Sequence, residues 1–197
     1  MGFLSYYCTF KRLTYEIIIS RKEFDCDDSD LNDFFINESL NYSQELMGKT
    51  YCFTLDENSS NIVCAFTVSN ESIKRLLLPN KIKNRISRKI PNQKRIKNYP
   101  AVLIGRLGVN KEFQGNKIGT ELMNFIKAWF IDDQNKTGCR FLVVDAYNNE
   151  RAINYYKKNE FKFLFDYETD EKKYTGLSNK RSLYTRLMDF DLIVLKK

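Results

Sequence analysis

The sequence has 197 residues, of which 43% are hydrophobic, 29% are charged and 14% are aromatic, and its net charge is +7. These values are typical of a globular protein with a sizeable core, and we expect a single domain over residues 1–197. The sequence contains no histidine, which excludes Ser-His-Asp and Cys-His catalysis as well as histidine ligation of a metal.

The five cysteines are scattered and form no CxxC pair, so neither a zinc site nor a disulfide framework is predicted. No apolar run approaches the length of a membrane span, and the N-terminus lacks the pattern of a secretory signal. The sequence therefore predicts a protein of the reduced cytoplasm, with no metal cofactor and no membrane partner.

The first third of the chain is predicted to form a strand, a helix and a hairpin. A β-branched run of three isoleucines predicts a strand over residues 14–20. An Asp-rich turn follows, after which apolar side chains from Leu31 to Leu40 recur at helical spacing. Two strand-like runs, 50–55 and 62–68, flank a polar loop and are typical of a hairpin.

The positive charge is concentrated in a basic insert over residues 72–98. Between Ser72 and Pro100 there are ten basic residues and no Asp or Glu, which leaves 22 of the 32 basic residues against 25 acidic ones elsewhere. The ten are Lys74, Arg75, Lys81, Lys83, Arg85, Arg88, Lys89, Lys94, Arg95 and Lys97. Such a segment favours an anionic partner, because each phosphate that it neutralises releases counterions. A solvated lysine-rich face is the alternative, and charge alone leaves both open.

The remaining elements alternate between strands and helices. We predict, in order, a short helix over 80–88, a strand over 101–109, a polar turn over 110–117 and a helix over 118–131. We then predict a buried strand over 141–144, a helix over 149–158 capped by Asn149, and strands over 161–165 and 183–187, with 189–195 extending the last strand or adding another. This order predicts a mixed α/β or α+β domain with a sheet core.

The strand over 101–109 leads through a polar turn into a helix that begins near Ile118. The first turn of a helix has unpaired N–H groups and the positive end of the helix dipole, an arrangement that binds phosphate. Gly115 and Gly119 allow close approach of a ligand to the backbone, and Lys117 adds charge. The turn matches neither a P-loop nor the dinucleotide GxGxxG motif. Many such turns bind nothing, so the spacing alone does not settle the function.

The residues from Gln114 to Gly119, QGNKIG, resemble the Q/R-x-x-G-x-G/A signature of the GNAT N-acetyltransferase superfamily. Lys117 occupies the position at which that signature has its first glycine. The resemblance implies a mixed sheet of six to seven strands flanked by helices, with splayed central strands that hold acetyl-CoA. It also implies which residues contact this donor. They are Leu107, Gly108 and Val109 on a bulged strand beside the thioester, and Gln114, Gly115, Asn116, Lys117, Ile118, Gly119 and Thr120 at the pyrophosphate.

A second motif, from Asn149 to Phe161, is similar to the family's N-x-x-A-x-x-F-Y-x-x-x-G-F. The resemblance implies that Asn149 contacts the coenzyme and that Tyr156 is the general acid for the departing thiolate. Glu160 replaces the usual glycine. A core aromatic on an amphipathic helix is the other interpretation of Tyr156, and the motif favours the catalytic one.

The N-terminal pattern from Phe24 to Phe35, F-x-C-x-x-x-x-L-x-x-F-F, is similar to the first-helix signature of a GNAT branch that contains bacterial toxins. The run over 100–109, which follows the basic insert, resembles that branch too. Members of the branch acetylate the α-amine of aminoacyl-tRNA, so the resemblance implies that acceptor and a small antitoxin partner. The candidate RNA-binding residues are Lys81, Lys83, Arg85, Arg88, Lys89, Lys94 and Arg95. A homodimer is compatible with the sequence.

We expect direct transfer, in which a neutral amine attacks the acetyl carbonyl and a backbone N–H near Gly108 or Val109 stabilises the oxyanion. A covalent acetyl-cysteine is disfavoured because neither motif contains a cysteine. No general base is evident. Water would suffice to take the proton from an α-amine. Glu71 is an available carboxylate, but it is more readily interpreted as a solvated charge at the end of a strand.

Arg106 is the one charged residue of an otherwise apolar strand. It lies near the coenzyme or the RNA end in one interpretation and forms a structural ion pair in the other, and the sequence does not separate them.

Three functions follow from the sequence. The first is an acetyltransferase that acts on the amine of aminoacyl-tRNA. The second is a protein or small-molecule N-acetyltransferase with a merely solvated basic insert. The third is a non-catalytic module that binds CoA or RNA.

Overall fold

The computed structural model describes residues 2–88, 90–92, 95–135, 137–177 and 181–196. Its strands are β1 (Cys8–Arg12), β2 (Lys49–Leu55), β3 (Ile62–Lys74), β4 (Asn98–Val109), β5 (Phe141–Tyr147), β6 (Lys162–Phe163) and β7 (Thr185–Asp191). Its α-helices are α1 (Phe3–Tyr7), α2 (Tyr15–Ser20), α3 (Ser29–Asp33), α4 (Ser39–Gln44), α5 (Asn80–Ile86), α6 (Ile118–Ile131), α7 (Glu150–Lys158) and α8 (Glu168–Thr175). A π-helical turn, Phe34–Glu38, joins α3 to α4, and 3₁₀ turns cover Arg75–Leu77, Lys111–Phe113 and Leu192–Leu195.

The seven strands form one sheet in the order β1-β2-β3-β4-β5-β7-β6. The pairs β1–β2, β2–β3, β5–β7 and β6–β7 are antiparallel. The prediction of a mixed α/β fold with six to seven strands flanked by helices is therefore confirmed. The splay of the central strands around a coenzyme stays a prediction. No helix in the described parts of the chain is both long and apolar enough to cross a bilayer.

The chain divides into two compact units, each made of two separate stretches. The first unit comprises Met1–Ser69 and Ile104–Ala128, and the second comprises Asn70–Leu103 and Trp129–Lys197. A buried cluster in the first unit consists of Leu13, Ile18, Phe24, Cys26, Phe34, Phe35, Cys52, Ile62 and Ala65. A buried cluster in the second consists of Ile73, Leu78, Ile82, Ile86, Tyr99, Ala101, Phe141, Val143, Leu164 and Phe165. The prediction of a single domain over residues 1–197 is untested and stays a prediction.

The strand predicted over residues 14–20 is wrong, because this segment forms helix α2 and the first strand is β1. Thr14 precedes the helix in an extended conformation, and the hydroxyl of Ser20 bonds back to the carbonyl of Glu16. Ile18 is buried in the first core, whereas Ile19 is 62% exposed. Ile17 also packs against this core, so two successive side chains face it, as in a helix and not as in a strand. Packing therefore overrides the strand preference of a β-branched run.

The later predictions are mostly confirmed, with different bounds. The helix over 118–131 and the strand that begins at Phe141 have the expected starts. The strand predicted over 161–165 is reduced to the two residues of β6. Strand β7 runs to Asp191, and the remaining apolar residues form a 3₁₀ turn rather than another strand.

Candidate active site

Strand β4 ends in the first unit, where the N-terminal pattern from Phe24 to Phe35 packs against it. A β-carbon on Gly108 would lie 3.0 Å from Sγ of Cys26 and 3.1 Å from Cε2 of Phe35. Such distances are tighter than most contacts of a real β-carbon, so close packing favours glycine at this position. The backbone of residues 107–109 is thereby held against the segment that precedes α3.

The same segment is fastened to the turn after β4. The Lys111 backbone N–H donates to the Asp25 carbonyl at 2.7 Å, and the Lys111 ammonium lies 2.8 Å from the Asp25 carboxylate. This ammonium, the amide of Asn32 and the N–H of Asp27 hold the pKa of Asp25 well below its usual range. The turn thus has a defined position relative to the N-terminal pattern.

Gln114, the first residue of the GNAT-like signature, has a structural contact as well. Its Nε2 donates to the carbonyls of Val109 at 3.1 Å and Cys26 at 3.3 Å. Asn110 is buried and donates from Nδ2 to the Ile62 carbonyl at 3.2 Å. Both side-chain amides thus donate to backbone carbonyls around the turn. The Gln114 side chain is engaged within the protein, so we expect Gln114 to contribute to coenzyme binding through its backbone.

The backbone between Gln114 and α6 has the features of an anion site. Gly115 has a φ of +80° and Lys117 a φ of +61°, both in the left-handed region. Among the residues that the structure describes, no acceptor pairs with the backbone N–H groups of Gly115, Asn116 or Lys117. They precede a helix of 14 residues, so unpaired donors and the positive end of a dipole coincide. The segment therefore fits the pyrophosphate of a nucleotide coenzyme.

The second motif lies in the second unit. Asn149 caps α7, with its side-chain oxygen accepting from the Ala152 N–H at 2.9 Å. At the other end of α7, the N–H of Phe161 donates to the carbonyl of Tyr156 at 3.0 Å and that of Glu160 to the carbonyl of Lys157 at 2.9 Å. This pair of bonds is a Schellman motif, in which the residue at Glu160 is usually glycine. Glu160 accordingly has a φ of +65°.

Tyr156 is half-buried on α7, and its ring lies edge-on to Phe161 at 5.6 Å between centroids. Burial raises the pKa of Tyr156 well above its usual value, and the negative charge of Asp145 adds to the rise. The hydroxyl is therefore protonated at neutral pH. It can donate a proton or a hydrogen bond but cannot act as a base.

None of the five thiols is activated. Burial raises the pKa of Cys8, Cys26 and Cys139 to about 11 and that of Cys52 to about 12, and it raises that of Cys64 as well. A thiol with such a pKa has almost no thiolate at neutral pH. Glu71, the carboxylate considered as a base, is exposed and accepts the N–H of its neighbour Ser72 at 2.6 Å.

Residues 86–161 match the sequence profile of the acetyltransferase (GNAT) family. This stretch of 76 residues, less than half of the chain, is similar to the GNAT acetyltransferases. The similarity indicates an acyltransferase, and the acyl donor that this family uses is acetyl-CoA.

Solved structures of similar fold cover nearly the whole chain. A Tyr-to-Phe mutant of KacT is 20% identical with a TM-score of 0.69, covering 96% of this chain and 98% of its own. AtaT complexed with acetyl-methionyl-tRNAfMet is 20% identical with a TM-score of 0.65, covering 96% and 97%. A Tyr-to-Phe mutant of the AtaT toxin, bound to the C-terminus of the antitoxin AtaR and to acetyl-CoA, is 18% identical with a TM-score of 0.61, covering 96% of both chains. At these identities the likeness shows the fold.

The cations of the basic insert differ in their exposure and in their contacts. Arg88 and Arg95 are exposed and Lys83 is half-buried, whereas Lys89 and Lys94 lie outside the described residues. Lys81 pairs with Asp166 at 2.6 Å on the surface. Arg85 binds both carboxylate oxygens of the buried Asp189, at 2.7 and 3.0 Å, so its guanidinium is engaged within the protein.

Sequence reasoning missed Asp145. It is an exposed carboxylate on β5 between the buried Val144 and Ala146, and its charge acts on Tyr156. The signal that the sequence offers is a charged residue directly after the apolar run over 141–144.

Proposed function

We propose that this acetyltransferase transfers the acetyl group of acetyl-CoA to the α-amine of aminoacyl-tRNA in the cytoplasm. The observation that carries the proposal is the fold shared over 96% of the chain with AtaT, a protein solved in complex with acetyl-methionyl-tRNAfMet. The exposed cations of the basic insert support an RNA acceptor, because they can neutralise phosphates.

The donor is proposed to bind at the first unit. The N–H groups of Gly115, Asn116 and Lys117 would hold its pyrophosphate, with Ile118, Gly119 and Thr120 at the start of α6 completing the site. The backbone of Leu107, Gly108 and Val109 would pair with the pantetheine arm, and Asn149 would contact the coenzyme through the start of α7. When bound, acetyl-CoA supplies an acetyl group on a thioester carbonyl.

Transfer is proposed to be direct. The neutral α-amine attacks the carbonyl carbon, a C–N bond forms, and a backbone N–H near Gly108 or Val109 stabilises the oxyanion. The C–S bond then breaks, Tyr156 gives its proton to the departing sulfur, and the amine proton leaves to water. A positioned acid of this kind contributes about 10²- to 10⁴-fold in rate. The raised pKa values of all five thiols argue against an acetyl-cysteine intermediate.

Two partners are part of the proposal. A small antitoxin protein is supported by the neighbour in which AtaT is bound to the C-terminus of AtaR. A homodimer is the assembly that we propose, and light scattering of the purified chain measures it. A monomer would contradict it.

Labelled acetyl-CoA tests the acceptor. The protein is incubated with charged tRNA, uncharged tRNA, and a panel of peptides and polyamines, and the label in each fraction is counted. We expect label on charged tRNA alone. Tyr156→Phe should abolish most of it, whereas Tyr155→Phe, the same change on the preceding residue of α7, should leave it nearly intact.

Other outcomes assign other functions. Label on peptides or small amines would make the chain a protein or small-molecule acetyltransferase and would remove the RNA role of the basic insert. Binding of acetyl-CoA with no label on any acceptor would identify a non-catalytic module.

A further inference from the structure

Arg106 is the exposed cation of an apolar strand. In the part of the chain that the structure describes, no carboxylate lies within ion-pair distance of its guanidinium. The guanidinium carbon lies 5.0 Å from the centre of the Phe34 ring, and Nη1 donates to the Gly105 carbonyl at 2.9 Å. Of the two interpretations that the sequence left open, the structural ion pair is therefore not the one observed.

The position of Arg106 is fixed by the packing of the first unit. Alternate residues of a strand face the same side, so Arg106 shares its side of β4 with Gly108, two residues and about 6.6 Å along the strand. On that side Cys26 and Phe35 lie about 3 Å from where a β-carbon on Gly108 would stand, and the Arg106 guanidinium lies near the ring of the adjacent Phe34. The guanidinium stands at the margin of this packed segment, with part of its surface in solvent.

These contacts prepare the side chain to bind an anion. Guanidinium has five N–H donors in a planar fork, and a single Nη1 bond to Gly105 leaves most of the fork available. The contact with Phe34 and the bond to Gly105 hold the side chain in place, so less conformational entropy is lost when a ligand binds. The fork matches a phosphate, with which arginine forms paired charge-assisted bonds.

We infer that Arg106 binds the phosphodiester adjacent to the acceptor amine, at the 3′ end of the aminoacylated RNA. The inference rests on the proposed function, because the amine of aminoacyl-tRNA is carried on a terminal ribose whose neighbour is a phosphodiester. The donor's pyrophosphate has its own proposed site at residues 115–120. That site follows Gly108 along the chain, whereas Arg106 precedes Gly108. Arg106 thereby makes the enzyme specific for an amine on RNA.

Steady-state kinetics on two acceptors test the inference. One acceptor is aminoacyl-tRNA, and the other is the same amino acid esterified to adenosine, which has the amine and the ribose but no phosphate. For Arg106→Gln we expect the KM for aminoacyl-tRNA to rise about 10- to 100-fold, with kcat and the KM for acetyl-CoA within about twofold. The KM for the adenosine ester should not change. Arg106→Lys, which keeps the charge without the fork, should be intermediate.

The matched control is Arg12→Gln, which removes the same charge from an exposed arginine on strand β1 of the same unit. It should leave both KM values as they are. An equal loss on both acceptors for Arg106→Gln would overturn the inference, because it would place Arg106 in the chemistry rather than on the phosphate. Unchanged kinetics on aminoacyl-tRNA would overturn it as well.

A binding measurement separates this inference from the proposed function. Cytidylyl-(3′,5′)-adenosine contains one phosphodiester and no amino acid, and calorimetric titration compares it with adenosine in the absence of turnover. If charged tRNA is not acetylated, the proposed function fails, but the titration still decides the role of Arg106. The inference is supported if the wild type and Arg12→Gln bind the dinucleotide more tightly than adenosine and Arg106→Gln does not. Equal binding by all three proteins, or competition by an acidic peptide alone, overturns it.

Discussion

Sγ of Cys26 lies 3.0 Å from the position that a β-carbon on Gly108 would occupy. Cys26 belongs to the N-terminal pattern and Gly108 to the strand expected beside the thioester, so the two motifs touch. The thiol is itself fixed, because Sγ donates to Oδ1 of Asn32 at 3.1 Å.

Gly108→Ala should therefore destabilise the protein. The added methyl group meets Cys26 and Phe35, and overpacking of this kind costs about 1–3 kcal/mol. Gly105→Ala on the same strand is the control, because a β-carbon there meets nothing within 4 Å. Urea denaturation measures the free energy of unfolding of both variants. Equal values for the two would show that the contact with Cys26 has no energetic role.

The left-handed residues at Lys117 and Glu160 occupy positions where the family signatures have glycine. Replacing either by glycine should raise the free energy of unfolding by up to about 1 kcal/mol, because glycine adopts this conformation without strain. Asn116→Gly is the control and should stabilise nothing, since Asn116 is not among the residues with positive φ. Thermal melts of the three variants make the comparison. A lower melting temperature for Lys117→Gly would contradict the strain argument.

The raised pKa of Tyr156 predicts the alkaline side of the pH–rate profile. Activity should rise with pH as the acceptor amine loses its proton. It should not fall again below about pH 10, because burial raises the pKa of Tyr156 and keeps its hydroxyl protonated. Initial rates at saturating substrates between pH 6 and 10 test this. A decline that begins near pH 8 in the wild type and is absent from Tyr156→Phe would mean that the tyrosine ionises early.

Within the basic insert, Arg85 and Lys81 should behave differently. Arg85→Gln leaves Asp189, 3% exposed, without its partner and should cost about 2–3 kcal/mol, less than a fully buried pair because Arg85 is itself 37% exposed. Lys81→Gln breaks a pair whose members are 83% and 53% exposed, and it should cost under about 1 kcal/mol.

The pH dependence of the Arg85 variant provides a check. Burial raises the pKa of Asp189 and Arg85 opposes the rise, so the pKa should rise further without the arginine. A group with a raised folded-state pKa contributes stability that is lost as pH rises through that value. The deficit of Arg85→Gln should therefore shrink at low pH. A deficit that does not depend on pH would contradict the role of the buried carboxylate.

Sequence patterns were sufficient for the elements with strong periodicity or local capping. The stripe of α6 and the Asn149 cap of α7 are local features, and both were predicted. The strand assigned to residues 14–20 failed because a run of three isoleucines does not reveal how many of them the core will bury.

The site could be predicted only as far as its motifs are contiguous. Gly108 was predicted as a close approach to a ligand, but its packing against Cys26 joins residues 82 positions apart, which spacing cannot show. Arg85 was grouped with the RNA-binding cations because its partner, Asp189, lies 104 residues away. Pairs of this kind depend on topology, and the sequence alone did not determine them.

Each compact unit is assembled from two stretches of chain, and this sets the order in which the protein is completed during synthesis. The first unit needs residues 104–128, so the segment up to Ser69 must wait for them. At a synthesis rate of about 5–20 residues per second, that wait lasts several seconds. No single truncation separates the two units, so deleting the second stretch of either one leaves an incomplete core rather than a smaller working protein.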